Sequence, residues 1–547
     1  MMAYDLTLRA ILERASSLYA KKEIISRDFS GIFHYTYGDF YKRTLQLANV
    51  LKDLGITKGD RVGTLAWNHH RHLELYFAVP ISGGVLHTLN LRLGTDQLVY
   101  IINHAEDKVI FVDKDLVPLL ESFRDQLTTV ERIIVLSDTL DIPACGLENP
   151  LSYEALLAEA DETFQYPDIS EWDPAAMCYT TATTGSPKGV VYTHRALVLH
   201  CLSACLPDCL DLRESDRVLP FVPMFHVNAW GLPFACTWLG TTQVFPGSRP
   251  QAEDICQLIQ DYKVTMAAGV PTIWMATYPL WANGSYDPSS LRQLVNGGSA
   301  ATISLIRNYY EKLGVSILHA YGMTETTPVV LVSRPKSTMK NLSLEEKYRL
   351  SAKQGLLVPG LEMKVIGEKG KEIPWDGKTM GELLLRGPWI AKEYYKDPVR
   401  SKEAFIDGWL RTGDIVTVDE EGYVSIADRS KDLIKSGGEW IPSLDLENTL
   451  MSHPAVSEAA VIAIPHPKWD ERPLACVVLN QNYEGDVTAQ DILDFLKDKV
   501  PKLWLPDYIK FIEAIPRTSV GKFYKAALRE RFSEIACTSG VPSRTGV

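Results

Sequence analysis

The chain has 547 residues, too many for one hydrophobic core, and points to about two to four domains. Its 46% apolar and 23% charged residues are those of a globular protein, and 56 basic against 68 acidic side chains give a net charge of −12. That balance argues against non-specific binding to nucleic acid or an anionic membrane, so an anionic substrate has to be held by local charges.

Nothing in the sequence approaches the roughly 18 apolar residues of a membrane span. The first periodic segment, Leu6 to Lys22, spaces Leu6, Ile11, Leu12, Ala15, Leu18 and Tyr19 as a docked amphipathic helix. It carries Arg9, Glu13 and Arg14 where a secretory signal would be apolar. Nine cysteines, an odd number without such a signal, speak against a disulfide framework and for a reducing cytoplasm.

From Thr36 to about Leu136, helical and strand-like patterns alternate: a helix at Phe40 to Leu54, a strand at Arg61 to Trp67, a helix at His72 to Gly83 and a strand at Lys108 to Val112. This alternation predicts an α/β fold with largely parallel sheets. The Pro- and acid-rich stretch Asp138 to Glu171 reads as a surface crossing. Beyond it, His194 to Leu206 is helical, with Cys201, Cys205 and Cys209 every four residues. Pro207 interrupts that spacing and no histidine cluster completes a metal site, so they read as buried structural thiols. Strand signals follow at Arg217 to Pro220, Thr242 to Phe245, Val264 to Ala268, Gln293 to Asn296 and Ser316 to His319, and Lys336 to Ala352 reads as a solvated surface helix. From Leu361 short alternating strands suggest a β-rich subdomain. A compact α+β run follows Asp428 to Lys435: a helix at Ser443 to Ser452, strands at Ala459 to Ile464 and Pro473 to Leu479, a helix at Ala489 to Lys499 and a strand near Tyr508 to Ile512.

The densest chemistry lies in Tyr179 to Val190, YTTATTGSPKGV. Glycines allow a tight turn and close approach, hydroxyls donate and a lysine supplies charge, which suits a polyphosphate; a surface Gly/Ser/Thr linker is the competing reading. It is not a P-loop, because Lys188 precedes Gly189 and no Ser or Thr follows the lysine directly. It resembles the phosphate loop of the adenylate-forming superfamily of acyl-CoA synthetases, adenylation domains and luciferases, with Ala182 where that family usually has glycine. Further segments match in the family's order: Val295 to Ala301 (VNGGSAA), His319 to Glu325 (HAYGMTE), Gly381 to Pro388 (GELLLRGP), Trp409 to Asp414 (WLRTGD), Asp428-Arg429, and Pro516 to Lys522 (PRTSVGK).

The resemblance implies a large N-terminal domain of layered α/β subdomains, residues 1–428 with a β-rich part at about 355–428. It also implies a hinge at 429–435 and a small mobile α+β domain at 436–547. It assigns the nucleotide to Thr181, Thr183, Thr184, Gly185, Lys188, Gly298, Ser299, Ala300, His319, Tyr321, Gly322, Thr324, Asp414 and Arg429. Glu325 and Thr181 become ligands of Mg2+, and Lys522 the lysine that bridges carboxylate and phosphate during adenylation. Lys431 takes the hinge position, and Lys435, Gly437, Gly438 and Trp440 fall along a CoA channel. Glu325, Asp414 and Lys522 have types suited to these tasks: a hard oxygen for a metal, a carboxylate for two hydroxyls, a cation between two anions.

Pro223 to Trp230 (PMFHVNAW) supplies apolar and aromatic groups for an acyl pocket, with a core aromatic patch as the alternative. In relatives its histidine sits beside the substrate carboxylate, so His226 joins the catalytic set. The pocket set is His226, Val227, Trp230, Gly298, Tyr321 and Gly322. The segments GGEWIPSLDLEN and IPHPKWDERPLA look most like bacterial-type fatty acyl-CoA synthetases. The expected activity is therefore ATP-dependent ligation of a medium- to long-chain acid to CoA through acyl-AMP, in the cytoplasm, in an enzyme of a branch that forms dimers through its large domain. Alternatives are a short, thioether, hydroxylated or aryl acid, an amine or carrier-protein acceptor, and an inactive nucleotide-binding homologue.

Overall fold

A computed structural model describes residues 1–180, 186–368, 370–437, 439–480, 483, 487–518, 523–533 and 535. They fall into two compact units: the described residues of Met1–Ala182, Ser186–Glu362 and Leu385–Leu410, and those of Met363–Leu384 and Arg411–Val547. The protein is a mixed α/β molecule with a larger N-terminal and a smaller C-terminal part.

The first unit is built on two sheets. One orders its strands Leu151–Ser152, Arg132–Leu136, Asp107–Asp113, Arg61–Leu65, Val85–Thr88, Pro174–Tyr179 and Gly189–Thr193. All neighbours are parallel except the last pair. The other runs Leu356–Leu357, Val329–Val332, Ser316–Gly322, Gln293–Asn296, Met266–Gly269, Arg217–Pro220, Thr242–Phe245, Glu23–Asp28 and Gly31–Thr36. Its inner pairs are parallel and its margins antiparallel. Helices Ala252–Asp261, Pro271–Ala282 and Ile303–Leu313 connect successive strands and close one core on Ile259, Trp274, Leu294, Ile306 and Tyr309. Such crossovers bury strands on both faces, which is why the strands read as apolar runs rather than alternating ones.

Helix ends follow local capping. Thr36 and Asp39, Ser343 and Glu346, and Thr488 and Asp491 form reciprocal boxes at three helix starts. Helix His70–Ile81 is buried along all 12 residues although it carries Arg71 and Glu74. Each charge is met inside: Arg71 pairs with Asp28 and Glu154, and Glu74 with Arg43.

Two expectations need correction. The supposed surface crossing at 138–171 contains the two-residue strand Leu151–Ser152, paired with Arg132–Leu136, and helix Tyr153–Glu159, capped by Ser152 and anchored by buried Tyr153 and Leu157. The charged segment 336–352 is helical only from Leu344 to Ala352, with a short 3-10 turn at Ser337–Met339, and it is not merely a solvated face: Tyr348 packs into the core. The cysteine spacing breaks as expected, the helix ending at Cys205 ahead of Pro207, and Cys201 and Cys209 are buried thiols with Cys205 half-buried. Among the described residues eight cysteines are thiols, no group of three His, Cys, Asp or Glu could hold a metal, and no helix is long and apolar enough to cross a membrane.

In the second unit, strand Trp409–Val418 from Arg411 onward pairs with Val424–Arg429. A long hairpin, Val456–His466 against Asp470–Leu479, takes Tyr508–Phe511 as a parallel neighbour. Helices Ser443–Met451 and Ala489–Lys497 cover it through Leu446, Leu450, Ile492 and Leu496.

Candidate active site

Strand Pro174–Tyr179 and strand Gly189–Thr193 are antiparallel neighbours with Tyr179 opposite Gly189, so the segment between them leaves and returns at one sheet end. Its base is tied twice: Thr180 N–H donates to the Lys188 carbonyl at 2.9 Å, and Lys188 N–H to Thr180 Oγ1 at 3.2 Å. Thr181, Ala182, Thr183, Thr184 and Gly185 lie outside the described residues. From the far side, Arg400 donates to the Ser186 carbonyl at 2.7 Å and Tyr395 N–H to the Gly189 carbonyl at 2.8 Å. Gly189 is glycine for space: a Cβ there would stand 3.0 Å from Tyr179 Cζ and 3.2 Å from Tyr395 Cβ.

Lys188 points toward Glu325. Its Nζ donates to the Tyr394 hydroxyl at 2.8 Å, lies 4.1 Å over the centre of that ring, and stands 3.9 Å from Glu325 Oε1. The same hydroxyl donates to Glu325 Oε1 at 2.7 Å. One phenol thus bridges the cation and the carboxylate, and burial together with the Glu325 charge holds its own proton well above the usual phenol range. Glu325 is 4% exposed. Its carbonyl accepts from Ala391 N–H at 2.8 Å, and Tyr192 donates to the preceding Thr324 carbonyl at 2.8 Å. A buried carboxylate is a fitting donor for Mg2+, which is commonly held by one or two carboxylates together with substrate phosphates.

Tyr321 and Gly322 end strand Ser316–Gly322, where the register against Val329–Val332 shifts. A Cβ on Gly322 would overlap the Pro328 carbonyl at 2.0 Å, so only glycine passes there. His319 donates from Nδ1 to the Ala352 carbonyl at 3.2 Å, and burial lowers it to about 4, leaving it neutral. Gly298 and Ser299 are exposed after strand Gln293–Asn296, with Asn296 Nδ2 donating to the Ser299 carbonyl at 3.0 Å; Ala300 is half-buried.

The segment after His226 adopts a conformation that sequence reading did not anticipate. Val227, Asn228, Ala229, Trp230 and Gly231 all have positive φ, at 38°, 53°, 47°, 58° and 75°. A left-handed residue other than glycine costs roughly 1–2 kcal/mol, so four in a row are held by their surroundings. The surroundings are close: a Cβ on Gly297 would stand 2.7 Å from Trp230 Cη2, and one on Gly231 2.8 Å from the His200 ring. Upstream, Asn68 clamps the approach, donating to the Pro220 and Val222 carbonyls and accepting from Met224 N–H at 2.7 Å.

In the second unit Asp414 and Arg429 face each other across paired strands, Arg429 Nε lying 2.7 Å from Asp414 Oδ1. Lys431 and Lys435 are exposed, Lys435 Nζ lying 5.6 Å from the Trp440 ring centre. Trp440 Nε1 donates to Glu368 at 2.7 Å. Gly437 is left-handed at φ 60°, with the Trp469 ring 2.6 Å from any Cβ. Gly438 and Lys522 lie outside the described residues.

The first unit therefore gathers Lys188 with Glu325, and Trp230 with the Gly297 segment; the second gathers Asp414 with Arg429, and Lys435 with Trp440. Sequence reading missed Tyr394, Arg400 and His200. Tyr394 lies 69 residues from the carboxylate it contacts, a distance that no periodicity spans.

A unit of two α/β sheets with a half-buried Lys188 beside the buried Glu325, and a smaller α+β part, is the arrangement an adenylate-forming enzyme requires. Residues 12–395 match the model of the AMP-binding enzyme family and residues 445–522 that of the AMP-binding enzyme C-terminal domain, and the chain belongs to this family. It is 49% identical over 536 residues to a long-chain-fatty-acid–CoA ligase of Thermus thermophilus, covering 97% of this chain and 96% of that protein. A 3-methylmercaptopropionyl-CoA ligase of Ruegeria pomeroyi is 40% identical over 537 residues, covering 98% and 99%. Among solved structures, an anthranilate CoA ligase in complex with anthranoyl-AMP superposes with a TM-score of 0.85 at 28% identity, covering 97% of this chain and 98% of that one.

Proposed function

We propose that the protein is an ATP-dependent acid:CoA ligase that activates a medium- to long-chain fatty acid as acyl-AMP and transfers the acyl group to CoA. The observation that supports this most is near-full-length similarity to a long-chain fatty-acid ligase, together with Lys188 standing 3.9 Å from Glu325.

A fatty acid is already ionised near pH 7 and needs no base to become a nucleophile. Its carboxylate oxygen attacks the α-phosphorus of ATP, the bond to the bridging oxygen breaks, and pyrophosphate departs. The obstacle is repulsion between two anions, so the site must concentrate positive charge. Glu325 and Thr181 would hold Mg2+, which supplies Lewis-acid neutralisation of the phosphates. Lys188 serves the phosphates, with hydroxyl and backbone donors from Thr183, Thr184, Gly185 and Thr324, while Lys522 bridges carboxylate and phosphate. Tyr321 stacks on adenine beside Gly298, Ser299, Ala300, His319 and Gly322, and Asp414 with Arg429 takes the ribose hydroxyls. His226, Val227 and Trp230 line the acyl pocket.

In the second half-reaction the CoA thiolate attacks the acyl carbonyl and AMP leaves. Lys522 has no task there. Residues 436–547, a domain distinct from 1–428, swing about Lys431 in the hinge 429–435, withdrawing Lys522 and presenting Lys435, Gly437, Gly438 and Trp440 to the pantetheine arm. A homodimer through the large part and a cytoplasmic setting complete the reading; light scattering tests the first.

Incubation with ATP, Mg2+, CoA and a panel of acids, followed by mass spectrometry, tests the assignment. Acyl-CoA from C8 to C18 acids is expected. Acyl-AMP alone, or no product, overturns it. The Ruegeria relative favours a second reading, a short thioether acid, which the same panel separates.

A further inference from the structure

His200 belongs to helix His194–Cys205, is 1% exposed, and was singled out by no motif. It touches two segments, one that follows Glu325 in the chain and one that carries Trp230. On one side its Nε2 accepts the Val329 N–H at 3.2 Å, a few residues beyond Glu325. On the other, its Cε1 and Nδ1 lie 2.8 Å from where a Gly231 Cβ would stand, at the end of the left-handed turn that carries Trp230. An imidazole accepting at Nε2 carries its proton on Nδ1, and burial lowers His200 to about 3, so the ring stays neutral.

The Val329 side is firm. Trp389 stands edge-on to the His200 ring at 6.2 Å and 80°, and its Nε1 donates to the Val329 carbonyl at 3.4 Å. Thr327 Oγ1 donates to the Trp389 carbonyl at 2.6 Å. The turn is the strained partner, with five consecutive positive φ values, and its Trp230 ring fits only because position 297 lacks a Cβ. A rigid neutral ring wedged between a firm segment and a strained one transmits the position of the first to the second.

We infer that His200 is a positioning residue for the acyl pocket: its imidazole, registered on Val329, holds Gly231 and thereby the Trp230 turn in place. The inference rests on the reading of Trp230 as an acyl-pocket residue. It makes His200 a determinant of which acid is accepted, acting through Trp230 and not on the reacting atoms.

The test uses the full-length enzyme with His200→Ala and His200→Gln, measuring melting temperature, KM for acid and for ATP, and the chain-length profile. His200→Ala loses both ring and acceptor; His200→Gln offers an amide oxygen to Val329 N–H but no ring against Gly231. Expected are an acid KM raised about tenfold and a shifted chain-length profile in both variants, with ATP KM within about twofold of the parent. Melting temperature recovers toward the parent value in His200→Gln only. Unchanged acid KM and profile, or acid and ATP KM rising by the same factor, would overturn the inference and leave His200 a structural residue. Trp230→Ala is the control. If it leaves acid KM and profile unchanged, the acyl-pocket reading has failed and the inference falls with it. If Trp230→Ala shifts them while both His200 variants do not, only the inference falls.

Discussion

Two carboxylate and lysine clusters, one in each unit, use the same residue types to opposite ends. In the first unit, Lys188 and Glu325 stand 3.9 Å apart with the Tyr394 hydroxyl bonded to both. In the second, Lys525 Nζ lies 2.6 Å from Glu447 Oε1 and 2.6 Å from Ser443 Oγ, while Ser443 donates to Asp428 from both N–H and Oγ. The Lys525 cluster is saturated: Glu447 also accepts from Val461 N–H at 2.7 Å. Its ammonium is raised above the usual lysine range by Glu447, Asp428 and Asp432 against the cost of burial. Saturation suits a cluster that ties helix Ser443–Met451 to the C-terminal helix Lys525–Arg531. The proposed function asks the Lys188 and Glu325 site to receive phosphates and a metal, which needs charges that are placed but not spent on each other, and the phenol stands between them.

The comparison breaks first at Lys525. Lys525→Ala leaves Glu447 and Asp428 buried without their cation and should cost about 3–5 kcal/mol, read as a fall in urea midpoint. A small loss would mean that the cluster is not saturated. Next, Glu325→Ala should lower adenylate formation, measured by pyrophosphate exchange, by about 10²–10³-fold with little change in melting temperature. If stability collapsed with activity, Glu325 would be structural in the manner of Glu447. Tyr394→Phe sharpens the contrast by deleting one oxygen: a hydrogen bond to a charged group is worth about 1.5–3 kcal/mol, so kcat/KM for ATP should fall about 10- to 100-fold. Equal losses for ATP and for acid would instead indicate general distortion.

The smallest effect concerns pH. Burial lifts Glu447 from 4.5 to about 6, the nearby Lys525 opposing that shift only in part. A carboxyl whose folded value exceeds its unfolded one contributes stability that is whole below the unfolded value and lost as pH rises through the folded value. Stability should therefore decline between about pH 4.5 and pH 6 from this group. Glu447→Gln should flatten that part of the curve in urea titrations at stepped pH; a parent curve rising across the window would contradict the assignment.

Much of the fold was legible because parallel strands buried on both faces leave contiguous apolar runs, as at Gln293–Asn296 and Thr242–Phe245. Helix Tyr153–Glu159 was hidden within a Pro- and acid-rich stretch because its anchors are only Tyr153 and Leu157. Helix His70–Ile81 was legible as a helix, but its burial on every side was not, since the partners of Arg71 and Glu74 come from elsewhere in the chain. Of the candidate site, Lys188, Glu325, Asp414 and Arg429 could be named because they sit in short motifs of fixed spacing. Tyr394 and His200 could not, because a residue that acts by joining two distant segments leaves no local pattern.

By itself the sequence determined the α/β class, the order of the motifs and the residue types able to hold a metal, a phosphate and a ribose, since each depends on neighbours in the chain. Only the tertiary structure decided that a phenol separates Lys188 from Glu325 and that the turn after His226 runs left-handed against His200 and Gly297. The reason is steric and long-range: a backbone conformation disfavoured locally persists only where packing from remote residues outweighs its cost.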